Sequence, residues 1–255
     1  MIDTPELVLV ATVFLLGGTI KGMTGLGLVT VSLGLLAATL DLTTAMALLI
    51  FPALFTNIWQ SLVGKNSIAL LKRILPFLFF ATVAIWFGSK VLLSVDTSIL
   101  LLLLGTLIIV YSSLDLFGVR FSISQENEKF AGPIFGLVNG IFAGMTGSFV
   151  VPGVMYLQAI GLSRDQIVQA MGMLFTLSTI GVAFALNKNN FITTELTMTS
   201  AFAVFPALLG LIIGQQIRKS LSEARFRRIF LVSILILGVL IIVRAFFSLN
   251  APSTG

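Results

Sequence analysis

The sequence predicts an all-α polytopic membrane protein of two inverted repeats, each a broken or re-entrant helical hairpin followed by three transmembrane helices. Three observations predict this fold class. The 255 residues are 57% hydrophobic and only 10% charged, whereas soluble proteins carry about a quarter charged residues. Long apolar runs recur along the whole chain, as expected for spanning helices of about 20 residues. Two glycine-rich clusters, Gly22–Gly25 and Gly144–Gly147, interrupt apolar segments at positions 122 residues apart.

The chain lacks residue types that several function classes require. It contains no histidine and no cysteine, which excludes disulfides, thiolate nucleophiles, Ser-His-Asp catalysis and ordinary zinc sites. We therefore expect no enzyme, no cofactor and no metal site. The net charge of +5 does not indicate nucleic-acid binding, because the basic residues lie in short loops between apolar segments. Such loops are typical of the cytoplasmic face of a membrane. The opening Met1–Glu6 is not predicted to be a removable signal peptide, since it has no basic cluster.

A polar stretch near the middle divides the chain into three predicted regions. Residues 1–118 form the first membrane repeat, residues 119–131 a polar linker loop and residues 132–255 the second membrane repeat. Each repeat has one overlong apolar segment followed by three ordinary spans. The overlong segments are Leu7–Leu40 and Ala131–Ile160, and the ordinary spans are Ala45–Val63, Ile74–Leu93, Ile99–Phe117, Gln166–Leu186, Leu196–Ile217 and Ile229–Ser248.

Further matches between the halves support a duplication. Leu54-Phe55-Thr56 matches Leu174-Phe175-Thr176 at an offset of 120, and Gly88 parallels Gly214. The offsets drift by a few residues, as small insertions after an old duplication would produce. Three crossings in each half is an odd number, so the two repeats are predicted to have opposite topology, as in many secondary transporters.

The two overlong segments are too long for one straight crossing. Leu7–Leu40 as a single helix would measure about 51 Å, against a hydrocarbon core of about 30 Å. Each segment therefore either breaks within the membrane or enters and returns as a hairpin. If each segment is a single crossing, seven of the lysines and arginines other than Lys21 lie on one side of the membrane and seven on the other. If each segment is a hairpin, eleven lie on one side and three on the other. The positive-inside rule favours the hairpins, which places the main basic loops in the cytoplasm and both termini outside.

The glycine turns are candidates for binding an anion. Non-helical backbone within a membrane survives only where it is buried in protein or lines a wet cavity. A half-helix that begins after such a turn offers unpaired N–H groups and the positive end of its dipole, and two such ends would face each other near the bilayer centre. The alternative is that these glycines only let helices pack closely. The candidate residues in the turns are Gly22, Thr24, Gly25, Gly144, Thr146 and Gly147, with hydroxyl donors on the two threonines.

Lys21 is the candidate charged group. It lies deep in an apolar segment beside the first break, where a buried ammonium costs several kcal/mol unless it is paired. Asp41, Asp115 and Glu195 all fall near segment ends, so no carboxylate is expected at the same depth. A substrate anion is a natural counter-ion. The alternative is a lysine at the mouth of a shallower turn, bonded to carbonyls or water.

Four polar residues within the spans are further candidates for lining the site. Asn57 and Gln60 lie on one helix face, and Gln169 lies in the equivalent span of the second half. Asn139 aligns with Gly17 and compensates for Ala143, the residue that stands at the position matching Lys21. Amide side chains in membrane helices also bond neighbouring helices, and that alternative stays open for each of them.

The two glycine-rich stretches carry a family resemblance. Gly17–Gly27 resembles the first-repeat signature of the sulfite exporter TauE/SafE family, the TSUP permeases, and Gly136–Gly147 with Pro152 resembles its second-repeat signature. The resemblance implies a permease of the bacterial inner membrane for sulfur-containing anions such as sulfite, sulfoacetate or other organosulfonates. The chain departs from the commoner second-repeat pattern, because Ser148-Phe149 stands where a Gly-Gly pair is frequent.

The leading hypothesis from the sequence is therefore a secondary transporter with alternating access between two repeats. A passive anion channel and a permease for a non-sulfur organic anion are the alternatives. The expected partners are a small anionic substrate, the lipid bilayer and a second copy of the chain in a homodimer, with no nucleic acid.

Overall fold

Helices account for every regular element in the computed structural model, which describes residues 4–62, 67–119, 121–218 and 223–250. Within these ranges there are ten helices and no strand. Some positions used in the sequence predictions lie outside the described residues. They are residues 1–3, Val63 at the end of a predicted span, the basic residues Lys65 and Lys219, Arg120 in the predicted linker, and residues 251–255. The helices are α1 Thr4–Thr24, α2 Leu28–Ala37, α3 Leu42–Leu62, α4 Ser67–Ser94, α5 Thr97–Leu116, α6 Glu128–Thr146, α7 Gly153–Ala159, α8 Arg164–Lys188, α9 Thr194–Arg218 and α10 Glu223–Asn250.

Seven of the described helices are long and apolar enough to cross a membrane. Six of them correspond to the six ordinary spans predicted from the sequence, which confirms an all-helical, multi-pass membrane protein. The seventh is α1. The sequence predicts a half-helix for this first arm of the first hairpin, whereas α1 has the length of a full span. The seven stretches are Pro5–Thr24, Leu42–Leu62, Ser67–Ser94, Thr97–Leu116, Asp165–Lys188, Thr194–Ile217 and Phe230–Leu249.

The first overlong segment folds back on itself at its glycines. Helix α1 ends at Thr24, and Gly25 and Gly27 follow with φ of 79° and 116°, in the left-handed region that glycine tolerates best. Helix α2 then runs back along α1, where the Ser32 hydroxyl donates to the Val13 carbonyl over 3.4 Å. The segment therefore forms a hairpin with one long arm and one short arm.

The second overlong segment also folds back. Helix α6 ends at Thr146, Gly147 has a φ of 74°, and the short helix α7 returns along α6. At the open end of this hairpin, the Arg73 guanidinium donates to the Glu128 carboxylate over 2.6 Å and to the Ile160 carbonyl over 2.7 Å. Because α6 begins at Glu128, the last four residues of the predicted linker at 119–131 are helical.

Each hairpin packs on a helix from the other half of the sequence. The most extensive helix contacts join α4 to α6 and α1 to α9. A Cβ on Gly22 would lie 2.2 Å from the Leu211 carbonyl oxygen and 3.0 Å from the Gly214 Cα. In the other pair, a Cβ on Gly144 would lie 2.3 Å from the Ile85 carbonyl oxygen, beside Gly88. The glycines that match in the sequence thus make matching helix contacts.

Two further pairs complete the bundle. Helix α5 packs on α10, where Gly105 and Gly238 lie against each other's backbone, and α3 packs on α8. The side chain of Gln169 on α8 donates to the Ser61 carbonyl at the end of α3 over 3.1 Å. Since the start of α8 meets the end of α3, these two helices run antiparallel and form the centre that both hairpin turns contact.

Candidate functional site

Lys21 lies inside the protein, in the last turn of α1. Its side chain is 5% exposed, and its Nζ donates to the Thr56 hydroxyl over 3.1 Å and to the Asn57 amide oxygen. Both partners are uncharged, and within the described parts of the chain no carboxylate forms an ion pair with Lys21. The sequence prediction of a deeply buried lysine agrees with this geometry.

Asn57 links Lys21 to a narrow cavity. Its side chain is fully buried, its oxygen accepts from Lys21, and its Nδ2 has no hydrogen-bond partner. An unsatisfied buried N–H costs about 1–3 kcal/mol, so this amide is available to a ligand oxygen. We call the space beside it the cation cavity; it leaves about 10 Å³ accessible to a water-sized molecule and is lined by Lys21, Gly25, Leu26, Gly27, Leu28, Val29, Thr30, Asn57, Phe149, Val150 and Phe175.

The N-terminus of α2 also lines the cation cavity. The first intrahelical bond of α2 runs from the Val31 N–H to the Gly27 carbonyl over 2.8 Å. The N–H groups of Leu28, Val29 and Thr30 therefore precede the helical hydrogen-bond ladder. Because the helix dipole places partial positive charge at this end, the cation cavity combines an ammonium, an unpartnered amide and a helix N-terminus, a combination suited to a small anion.

The glycines of the two turns contact different parts of α3, whereas the residues that follow the turns, Leu28–Thr30 and Phe149–Val150, line one cavity. The carbonyl of Gly25 accepts from Gln60 near the end of α3 over 3.1 Å, whereas Gly147 lies against Met46 near its start. Met46 and Gln60 are 14 residues apart on α3, or about 21 Å along the helix.

The two threonine hydroxyls are already engaged by their own turns. Thr24 donates to the carbonyls of Ile20 and Leu26 over 2.9 and 2.5 Å. Thr146 donates to the Phe142 carbonyl over 2.8 Å and accepts from the Ser148 N–H. The expectation that these hydroxyls offer protons to a substrate is therefore not met in this conformation. Their observed role is to close the two turns.

The four candidate glycines divide into two roles. Gly22 and Gly144 pack against the backbones of α9 and α4, so the alternative of close helix packing applies to them. Gly25 and Gly147 adopt positive φ in the turns. Of the four, only Gly25 lines the cation cavity.

The remaining amide candidates mainly join helices. Gln60 donates to the carbonyls of Gly25 and Val168, while its Oε1 is buried without a partner. Gln169 donates to the Ser61 carbonyl and the Ser67 hydroxyl. Asn139 is fully buried, and its oxygen accepts from the Gly153 N–H at the start of α7 over 2.9 Å. The structure therefore brings only Lys21, Gly25 and Asn57 of the predicted residues to the cation cavity.

Several residues of the cation cavity were not predicted. Phe175, which lines the cavity, and Thr56, which accepts a hydrogen bond from Lys21, belong to the repeated Leu-Phe-Thr motif, and this motif does not indicate which way they face. Phe149 and Val150 lie in the non-helical stretch after Gly147, where neither helix nor strand periodicity predicts an orientation. Within the described ranges, no group of three or more acidic side chains is placed to hold a metal ion.

The fold and the site together define a class of protein: a multi-pass membrane protein with a buried cation beside a broken apolar segment, an arrangement typical of secondary transporters. The family described as "Sulfite exporter TauE/SafE" matches residues 9–241. The chain therefore belongs to this family, whose members are transporters and not enzymes. Comparisons with curated proteins and with solved structures gave no significant match.

Proposed function

We propose that the protein is a permease for a small sulfur-containing anion, such as sulfite or an organosulfonate, and that it works by alternating access between two inverted repeats. One observation carries this proposal: the ammonium of Lys21 is buried beside a cavity and, among the described residues, is hydrogen-bonded only to neutral groups. The family membership supports the same substrate class.

The charge of Lys21 supports an anion as the missing partner. Removing a lone ammonium from water costs several kcal/mol even after relaxation, and hydroxyl and amide oxygens offset only part of that cost. A negatively charged substrate in the cation cavity offsets the rest while it is bound. Site and substrate then stabilise each other, and neither requires a permanent carboxylate in the protein.

In the proposed binding mode, the substrate oxygens accept hydrogen bonds from three sources. These are the Lys21 Nζ, the unpartnered Asn57 Nδ2 and the first N–H groups of α2. Charge-assisted bonds of this kind are about twice as strong as bonds between neutral groups. Gly25 keeps the wall of the site free of side-chain atoms.

The proposed setting is the bacterial inner membrane, with the basic loops in the cytoplasm. A homodimer stays an expectation, as does the absence of nucleic-acid binding. A passive channel and a permease for a non-sulfur organic anion are the competing functions, and both would use the same buried cation.

Replacement of Lys21 tests the proposal. We expect Lys21→Ala to lower sulfite uptake into proteoliposomes by about 10- to 100-fold, the equivalent of one lost charge-assisted hydrogen bond. Lys72→Ala is the matched control, because it removes the same charge from an exposed side chain on α4. Equal transport by both variants, with equal amounts of folded protein, would remove Lys21 from the site.

The same vesicles separate the competing functions. An alternating-access permease preloaded with unlabelled anion accelerates the entry of labelled anion, whereas a passive channel does not. Thermal unfolding of the purified protein with sulfite, thiosulfate, sulfoacetate, taurine and short carboxylates identifies the substrate class, since a ligand that binds only the folded state raises its stability. A shift with carboxylates alone would assign the permease to a non-sulfur anion.

A further inference from the structure

A second cavity lies on the far side of two side chains that close the cation cavity. It also leaves about 10 Å³ accessible to a water-sized molecule and is lined by Val29, Met46, Leu49, Ile50, Ala53, Gly147, Phe149, Thr179 and Val182. We call it the apolar cavity, because Thr179 is its only polar lining side chain. Within the part of the chain that the structure describes, Val29 and Phe149 alone line both cavities.

Helices α3 and α8 continue from one cavity to the other. On α3, Ala53 lines the apolar cavity, and Asn57, four residues later, lines the cation cavity. On α8, Phe175 lines the cation cavity and Thr179, again four residues later, lines the apolar cavity. Residues four apart lie on the same helix face, so one face of each helix runs along both cavities.

The two separating side chains come from the two broken segments. Val29 lies in the first turn of α2, and Phe149 lies in the non-helical stretch between α6 and α7. They are 6% and 4% exposed, and the Phe149 ring packs on Phe175 with ring centroids 6.0 Å apart. Their positions differ by 120, the offset at which the Leu-Phe-Thr motif repeats. Each half of the chain thus supplies one side chain to the separation.

We propose that Phe149 and Val29 form the barrier between the two ends of a single transport route, one end being the cation cavity and the other the apolar cavity. The proposal rests on the proposed transport function, since a route requires a transported solute. Backbone on either side of Phe149 is not restrained by a helix, so its ring can leave the barrier through local rearrangement of the second hairpin turn. Movement of α2 displaces Val29 in the same way.

The absence of cysteine from the chain allows a direct test by single-cysteine labelling. Thr30→Cys places a thiol in the cation cavity and Thr179→Cys places one in the apolar cavity. A membrane-impermeant methanethiosulfonate reagent is applied to one face of oriented vesicles at a time. With the barrier intact, we expect the two thiols to react from opposite faces of the membrane.

Removal of the barrier should abolish this sidedness. Open states that form only transiently are populated at roughly 0.1–10%, so Phe149→Ala should raise labelling from the previously protected face by about tenfold or more. Phe184→Ala is the control, because it removes an exposed phenylalanine of α8 that lines neither cavity. Val29→Ala tests the barrier independently and replaces Phe149→Ala if that variant does not fold.

Two results would overturn the proposal. One is reaction of both thiols from the same face while Phe149 and Val29 are present. The other is unchanged sidedness in a folded Phe149→Ala or Val29→Ala protein. The labelling reagent is not a substrate, so the result is independent of whether sulfite is transported. Failure of sulfite uptake with intact sidedness would count against the proposed substrate and leave the barrier in place.

Discussion

The amide of Asn57 controls the electrostatics around Lys21. Its oxygen accepts from the ammonium, and its Nδ2 has no hydrogen-bond partner among the described residues. An aspartate at position 57 would have the same shape but would present an oxygen atom in place of Nδ2 as well. The net charge of the cation cavity therefore depends on whether residue 57 carries the amide nitrogen of asparagine or the second carboxylate oxygen of aspartate.

We expect Asn57→Asp to eliminate anion binding. The new carboxylate would form a buried ion pair with Lys21, cancel its charge and remove the free N–H group. The measurement is the thermal shift produced by sulfite, which should disappear, while the unliganded protein keeps its stability or gains some. Asn187→Asp makes the same change at an exposed position and should retain the shift. An undiminished shift in Asn57→Asp would show that the anion binds elsewhere.

Individual residues differ in how far their roles can be predicted from sequence. The burial of Lys21 follows from its position in an apolar segment, and the structure agrees. The role given to Thr24 is not met, because a threonine in a helical turn readily bonds a carbonyl four residues earlier. The contact of Lys21 with Asn57 joins residues 36 apart, and no local pattern predicts which side chains two packed helices bring together.

At the scale of elements, two glycines of the first hairpin have different roles: one allows two helices to pack closely, and the other forms the turn. Gly22 lies between α1 and α9, where an added Cβ would meet backbone atoms. Gly25 has a φ of 79°, but its added Cβ would meet only the Val168 methyl groups at ordinary contact distances of 3.6 and 3.7 Å. Substitution by alanine should therefore have different consequences at these two positions.

Gly22→Ala should destabilise the protein by about 1–3 kcal/mol, because α1 and α9 must move apart to admit the methyl group. Gly25→Ala should cost about 1 kcal/mol for its left-handed backbone while impairing transport, since the residue lines the cation cavity. Denaturation in detergent and uptake into vesicles measure the two effects. Gly161→Ala is the control for Gly25, because it has a φ of 68° with nothing within 4 Å of the added Cβ. Equal transport by the Gly25 and Gly161 variants would contradict a role for the first turn.

The six ordinary spans could be predicted because a membrane helix needs about 20 apolar residues, and the sequence meets that requirement clearly. The glycine cluster predicts a break at Gly22–Gly25, but α1 continues through Gly17, Gly18 and Gly22 to Thr24. These glycines remain helical because other helices pack into the space that a side chain would fill: Ser32 lies against Gly17, and Ala207 lies against Gly18. Whether a membrane glycine breaks or packs a helix depends on these neighbours.

For the molecule as a whole, the two folded-back hairpins bear on the orientation in the membrane. In the hairpin hypothesis, each broken segment returns the chain to the side it entered, which assigns the crossings to α3, α4, α5, α8, α9 and α10. Six crossings place both termini on the same side. On this hypothesis, the distribution of basic residues predicts that the loops after α3, α5 and α9 lie in the cytoplasm.

Reporter fusions test this orientation. Alkaline phosphatase is active only outside the cytoplasm, so we expect activity when it is fused after residue 250 and none when it is fused within the loop between α5 and α6. A green fluorescent reporter at the same sites should give the opposite pattern. Activity of the phosphatase in the α5–α6 loop, with an inactive C-terminal fusion, would reverse the assigned orientation. Opposite results for two fusions that should share one side would refute the hairpins.

Because α1 lies on α9 and α6 lies on α4, each hairpin depends on the opposite half of the polypeptide. A cut between α5 and α6 would yield two fragments, each lacking the surface on which its own hairpin rests, so neither should assemble without the other. If transport proceeds by the proposed alternating access, the same interlacing limits which groups of helices can move together as rigid units. A rigid unit that keeps the glycine contacts contains the hairpin of one half and a helix of the other half. Such a unit therefore combines residues from both halves of the sequence.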